Sequence, residues 1–255
     1  MSKTTTMPNI RKMFVPDEGY TIFDVDLAGA DAQVVAYEAE DLDLIEAFRK
    51  GLDVHSKNAE DMWGTSFTSL AGDKNHGPRK KKRGECKIGV HLTNYGGSAR
   101  AAAKVLGWTV REAESFQRRW FSLHPGIKAN FHGRIESSLQ RSRMVSNRFG
   151  YRRVYFDRID SCFTEALAWV PQSTVAEVSF RGGLALEEKC PWVEMLLQVH
   201  DSLVFQVPHA YEDRIEEIST GLIVEVPYTT PHPLVIQWGI ARSRTSWGDC
   251  ETVVK

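Results

Sequence analysis

The chain has 255 residues, 42% of them hydrophobic, with 32 Lys and Arg against 33 Asp and Glu. That is the make-up of a soluble globular protein, long enough for one large domain or two small ones. The net charge of −1 hides a division: residues 62–158 hold 20 basic and 6 acidic groups, residues 1–61 hold 6 and 13, and residues 159–255 hold 6 and 14. A cationic middle between acidic flanks suits a polyanion partner, although charges clustered on solvated helix faces give the same count. No apolar run approaches the roughly 20 residues of a membrane span, and the start Met1-Ser2-Lys3-Thr4-Thr5-Thr6 lacks a signal-peptide core. The scattered Cys86, Cys162, Cys190 and Cys250 offer neither zinc spacing nor a reason for disulfides, so reduced thiols in a cytosol-like compartment are expected.

After a polar start, Tyr20–Leu27 is β-rich and reads as a strand. Asp31–Ala39, Asp41–Lys50 and Val54–Trp63 read as helices, the last stopped by Gly64. Residues 65–78 carry Gly, Ser, Asn and Pro and read as a loop. Arg79–Asn94 is a basic helix ended by Gly96-Gly97. Ser98–Leu106, Val110–Phe121 and Pro125–Gln140 follow as helices. Met144–Tyr155, with Gly150 inside it, reads as a hairpin. Phe163–Glu188 is a long helical pattern weakened by Pro171 and Gly182-Gly183. Glu194–Val207 reads as two buried strands around the polar pair His200-Asp201. Tyr211–Val224 is helical, and Leu234–Trp238 reads as a last strand. The mixture predicts an α+β fold, with helices on one face of an antiparallel sheet.

Asp26 ends the first strand and Asp201 sits in the later tight turn. Either alone is most simply a surface turn residue. Two carboxylates on rigid β-structure, however, are a common mounting for a pair of hard cations, which need oxygen ligands held close together. Between them in sequence lie Arg83, Lys87 and His91, spaced i, i+4, i+8. At about 100° per residue they share one helix face within about 80°, and Tyr95 extends the series. Cations followed by rings suit a nucleoside triphosphate. A solvated amphipathic helix, or a nuclear-localisation patch at Arg79–Arg83, fits the same run less specifically.

Together these segments resemble the family A DNA polymerases, the DNA polymerase I-like group, especially its phage forms. FDVDLAGADAQVVAYEAED resembles motif A, and DVHSKNAEDMWG resembles the short helix before the fingers. RGECKIGVHLTNYGG resembles motif B, written R-x3-K-x3-[FY]-x3-YG. SLHPGIKANF, NRFGYRRVY and VPQSTVAEV resemble three further segments of the family, and QVHDSLVFQVP resembles motif C. The likeness runs in the family's order from about Pro8 to Asp249.

The resemblance implies an antiparallel palm sheet with a mostly helical fingers subdomain. Residues 1–12 are then a flexible start, and 13–64 hold the palm with motif A and the leading fingers helix. Residues 65–142 are fingers, and 143–255 are palm with motif C. It further implies template-directed addition of deoxynucleotides to a primer 3′-hydroxyl. Asp26, Asp201 and the backbone carbonyl of Leu27 would bind two Mg²⁺ ions. Arg83, Lys87 and His55 would hold the triphosphate, with Lys87 also a general acid for pyrophosphate. His91, Tyr95 and Asp31 would contact the nucleotide. Gln172, His200, Arg152 and Arg153 would touch DNA. The implied partners are primer-template DNA and dNTPs, in a bacterial host cytoplasm for a phage protein.

Three positions depart from the family pattern. Asp31 replaces the usual Glu that crowds the ribose 2′ position, His91 replaces Phe or Tyr, and Ser202 replaces Glu. The thumb and exonuclease domains are expected to be absent. An alternative is therefore a nucleic-acid-binding polymerase subunit, inactive without a separate thumb-bearing chain. A metal-dependent nuclease leaves Arg83, Lys87, His91 and Tyr95 without a role.

Overall fold

The structure is a computed structural model that describes residues 9–254; most of the expected flexible start lies outside that range. Ile10–Met13 forms a 3-10 turn capped by Asn9, Lys12 pairs with Asp249 at 2.5 Å, and the Phe14 ring meets Trp247 edge-on.

Strand β1 is Tyr20–Leu27. Helices α1 (Ala30–Glu38), α2 (Leu42–Arg49) and α3 (Val54–Trp63) follow, with a short α4 (Thr65–Thr68) inside the expected loop. The basic helix α5 spans Gly77–Asn94. Next come α6 (Ala99–Leu106), α7 (Val110–Leu123), a π-helical turn at Ile127–His132 and α8 (Gly133–Ser142). Strands β2 (Met144–Ser146) and β3 (Arg152–Val154) form the expected hairpin. Helix α9 runs unbroken over Ile159–Lys189, with Pro171 inside it. Strands β4 (Glu194–Val199) and β5 (Ser202–Pro208) precede α10 (Ile215–Gly221) and the short pair β6 (Glu225–Val226) and β7 (Leu234–Val235). The chain ends in β8 (Trp238–Ser243) and β9 (Glu251–Val254).

Packing divides the chain into two units. The first comprises the chain up to Ala30, Val175–Val226 and Pro233 onward. It holds a five-stranded antiparallel sheet of order β4-β5-β1-β8-β9. Interior strand β5 is buried on both faces. Strand β4, expected to be buried, is instead an edge strand with a bulge after Met195, and its residues are half-buried or exposed. The expected strand at Leu234–Trp238 is two elements: β7 pairs with β6, and β8 pairs with β1. Gly239 and Ala241 give β8 too little apolar alternation to be read from sequence.

The second unit comprises Asp31–Thr174 and Pro227–His232 and is almost wholly helical. Helix α5 buries Cys86, Gly89, Val90, Thr93 and Asn94. A Cβ at Gly89 would lie 2.9 Å from the Phe116 ring, so glycine is what lets α7 approach. Gly126 is required in the same way, because a Cβ there would lie 2.2 Å from the Ala39 carbonyl oxygen. Asn130 Nδ2 donates to that carbonyl at 2.8 Å. Glu38, 1% exposed, accepts from Tyr228 and pairs with Arg134 and Arg148. Pro171 removes one backbone donor from α9, and the Thr174 hydroxyl bonds back to the Val170 carbonyl one turn earlier.

The sheet core centres on Phe23 and Phe205, which face each other across β1 and β5 with rings stacked 5.3 Å apart and no exposure. Phe205→Ala is expected to cost about 3–5 kcal/mol through lost burial and a cavity. Phe205→Leu is expected to cost less than half of that. Denaturant unfolding of both variants measures this; equal costs would show that the site collapses around the loss.

Candidate active site

Asp26 lies near the end of β1. The pleat turns Val25 and Leu27 into the core, at 0% and 1% exposure, and leaves Asp26 exposed on the other face. Its directly opposed neighbours are Ser202 on β5 and Gly239 on β8, and opposed residues of an antiparallel ladder share a face. Neither carries a long side chain. The Ser202 hydroxyl donates to the Val199 carbonyl at 3.0 Å, so it is engaged with its own hairpin. The Asp26 carboxylate thus has small flanks, and hard oxygen donors with room beside them suit a hydrated divalent cation.

His200 and Asp201 form the two-residue turn between β4 and β5. The Leu27 N–H donates to the Asp201 carbonyl at 3.2 Å, tying this turn to the end of β1. His200 has φ of +56°. A tight hairpin turn demands a positive φ, and an L-residue there costs on the order of 1 kcal/mol. Neither Gly nor Asn marks that strain in the sequence. Asp26, Leu27, His200 and Asp201 therefore meet at one end of one strand pair.

In the second unit, Arg83, Lys87 and His91 run along one flank of the buried stripe of α5, with Tyr95 at the C-cap of the helix. The His91 and Tyr95 rings meet edge-on at 4.5 Å. Burial pushes the Tyr95 phenol well above its ordinary pKa, and the adjacent Asp31 carboxylate adds to this. The packed surroundings push His91 down; Asp31 opposes this and Lys87 reinforces it. His55, from the first turn of α3, is pushed down to about 4 by burial, by Lys87 and by Arg83, and its Nδ1 is buried without a partner. Arg83 does not stand free. Asp53 holds it through Nε at 2.8 Å and Nη2 at 2.6 Å.

Of the four expected DNA contacts, His200 lies in the β4–β5 turn and the other three lie in the second unit. Arg152 and Arg153 are exposed on β3, and Gln172 is exposed on α9. Asn147, ahead of β3, donates to Ser173, the neighbour of Gln172. Arg153 pairs with Glu165 and covers the Tyr155 ring. Sequence reading missed Asp53 and the Glu38 hub, because their partners are 30 and 110 residues away. It also missed Asp41, Asp43 and His124, whose ligand-type atoms lie within 4.8 Å of one another. These three are already engaged. Asp41 caps α2 and holds His124 at 2.7 Å, and Asp43 holds Lys57 at 2.5 Å. Among the described residues no helix is long and apolar enough to cross a membrane.

The fold is that of a nucleic-acid polymerase domain. It matches the POL domain of Pol1 from M. smegmatis, solved in complex with DNA primer-template and dNTP, with a TM-score of 0.77 at 22% identity. The match covers 94% of this chain and 42% of that one. Residues 2–249 match the model for DNA polymerase family A, and the chain belongs to that family. DNA polymerase I of Pseudomonas aeruginosa is 29% identical over 93% of this chain, and the thermostable DNA polymerase I of Thermus filiformis is 30% identical over 94%. The chain spans 26% and 29% of those relatives, little more than a quarter of their length.

The electrostatics of α5 can be read directly. In an NMR pH titration His55 is expected near pKa 4 and neutral at pH 7. Lys87→Met should raise that pKa toward the ordinary 6.5 or so of imidazole. A wild-type His55 that titrates near 6.5 would contradict the burial and charge crowding described above.

Proposed function

We propose that this chain forms the palm and fingers of a DNA-directed DNA polymerase, adding deoxynucleotides to a primer 3′-hydroxyl on a template. Residues 13–64 and 143–255, which include the five-stranded sheet, form the palm, and residues 65–142, which include α5, form the fingers. The observation that carries this reading is the pair Asp26, near the end of β1, and Asp201, in the turn that leads into the neighbouring β5, tied together by the Leu27–Asp201 backbone bond.

Asp26, Asp201 and the Leu27 carbonyl would hold two Mg²⁺ ions. When bound, these ions lower the pKa of the attacking hydroxyl and stabilise the departing pyrophosphate. The chain's own residues do the rest. Arg83 and Lys87 bind the triphosphate oxygens, and Lys87 supplies a proton to the leaving pyrophosphate. His55, neutral at pH 7, offers a hydrogen bond rather than a charge. His91 and Tyr95 present ring surfaces to sugar and base, and Asp31 borders the ribose. Arg152, Arg153, Gln172 and His200 contact primer-template DNA.

Primer extension with Mg²⁺ and dNTPs tests the reading. Asp26→Ala and Asp201→Ala are each expected to lower the rate by roughly 10²–10³-fold or more, the loss of one charge-stabilising group. Extension that survives both substitutions would refute the assignment. DNA binding without extension by the wild-type chain would mark a subunit that needs a thumb-bearing partner.

Two departures give specific expectations. Asp31→Glu adds a methylene beside the ribose and should lower ribonucleotide relative to deoxynucleotide incorporation; an unchanged ratio would remove Asp31 from that role. His91 carries a pKa depressed below the ordinary imidazole value, so discrimination against dideoxynucleotides should change on the acid side of the ordinary imidazole range rather than through neutrality. A transition centred near pH 7 would show that His91 is not the group responsible.

A further inference from the structure

Asp53 stands at the N-cap of α3, two residues before His55. An aspartate there ordinarily turns its carboxylate onto the free N–H groups of the first helical turn. Here it makes no such bond. Both oxygens go to Arg83, with Nε donating at 2.8 Å and Nη2 at 2.6 Å, and the Ser56 hydroxyl donates to Oδ2 at 2.6 Å. Burial opposes ionisation of this carboxyl, but the bonds from Arg83 and Ser56 outweigh it and hold the pKa down at about 2.

The grip is side-on. A guanidinium has five N–H donors in a rigid planar fork. Asp53 takes the Nε–Nη2 edge, which leaves the Nη1 edge held in a fixed direction. Lys87 and His55 belong to the same electrostatic cluster, and the buried Nδ1 of His55 has no partner within the protein.

We propose that Asp53 is a positioning residue for the nucleotide triphosphate: it clamps Arg83 along the Nε–Nη2 edge so that the Nη1 edge is presented to phosphate. This rests on the reading of Arg83 as a phosphate ligand. Two effects of Asp53 oppose each other. Its negative charge alone weakens binding of an anion beside it, whereas its clamp removes the conformational freedom that a long arginine side chain would otherwise lose on binding. Asp53→Asn removes both the charge and one of the two acceptor oxygens, so the sign of its effect on binding tells which of the two dominates.

The experiment uses the full chain and two readouts. In primer extension with varied dATP, Asp53→Asn is expected to raise KM by about 10- to 100-fold, with a smaller fall in kcat. Asp53→Glu, which keeps two acceptor oxygens, should recover part of the loss. In an Arg83→Lys background, where no planar fork remains to be clamped, Asp53→Asn should change KM by no more than about twofold. A KM that falls or stays constant in a folded Asp53→Asn overturns the proposal, as does an undiminished effect in the Arg83→Lys background. A fall in melting temperature without a change in KM assigns Asp53 to structure alone and overturns it too. Titration with inorganic tripolyphosphate checks the underlying reading without polymerisation. Equal affinity of wild type and Arg83→Ala would remove Arg83 as a phosphate ligand, and the proposal with it. Loss of affinity in Arg83→Ala but not in Asp53→Asn would overturn the proposal alone.

Discussion

The pleat of β1 is the constraint on which the first unit depends. Phe23, Val25 and Leu27 point into the core and are essentially unexposed, so Asp24 and Asp26 must point the other way. The stacked pair Phe23–Phe205 fixes the register against β5. A slip by one residue would bury Asp26 and expose the aromatic layer, and the free energy of that exchange prohibits it. The carboxylate is thus positioned by packing on the opposite face of its own strand. The Leu27–Asp201 backbone bond extends the same constraint to the hairpin turn, at the cost of a left-handed histidine.

Helix α5 obeys a parallel logic with a period of 3.6 rather than 2. Its inward stripe runs from Cys86 to Asn94, where the Asn94 side chain accepts from the Trp120 indole at 2.7 Å. Gly89 admits the Phe116 ring. With that stripe fixed, Arg83, Lys87 and His91 have no choice but to line up together along its flank. Crowded cations repel one another, and the protein relieves this in two ways. His55 gives up its proton, and Asp53 neutralises Arg83 without covering all of it.

The parts legible in the sequence are those set by short-range pattern. Strand β1 is read from its β-rich composition and helix α3 from its stop at Gly64, at the bounds the structure has. The i, i+4 spacing puts Arg83 and Lys87 together on α5, and the polar pair between two apolar runs puts Asp201 in a turn. What was not legible depends on distant partners. Nothing near Glu38 announces Arg134, Arg148 or Tyr228, and nothing near Asp53 announces Arg83. Strand β4 looked buried because Met195, Leu196 and Leu197 are apolar, but an edge strand keeps such residues half-exposed. Pro171 looked like a break because local rules charge it with a lost bond, yet the helix continues through it.

The departures from the family pattern read differently once the neighbours are known. Ser202 cannot act as a shortened acid, since its hydroxyl is turned back onto the Val199 carbonyl. What it contributes beside Asp26 is smallness, matched by Gly239 on the other side. Asp31 is one methylene shorter than glutamate, but length is not its only constraint. Its carboxylate lies beside the Tyr95 phenol, which burial keeps protonated well past neutral pH. A protonated phenol next to a carboxylate restrains where that carboxylate can move. The position of the Asp31 carboxylate, and with it the proposed reach toward a sugar, is therefore set jointly by its own chain length and by where α5 places Tyr95. A change in the packing of α5, such as at Gly89, bears on that reach as directly as a change at Asp31 itself.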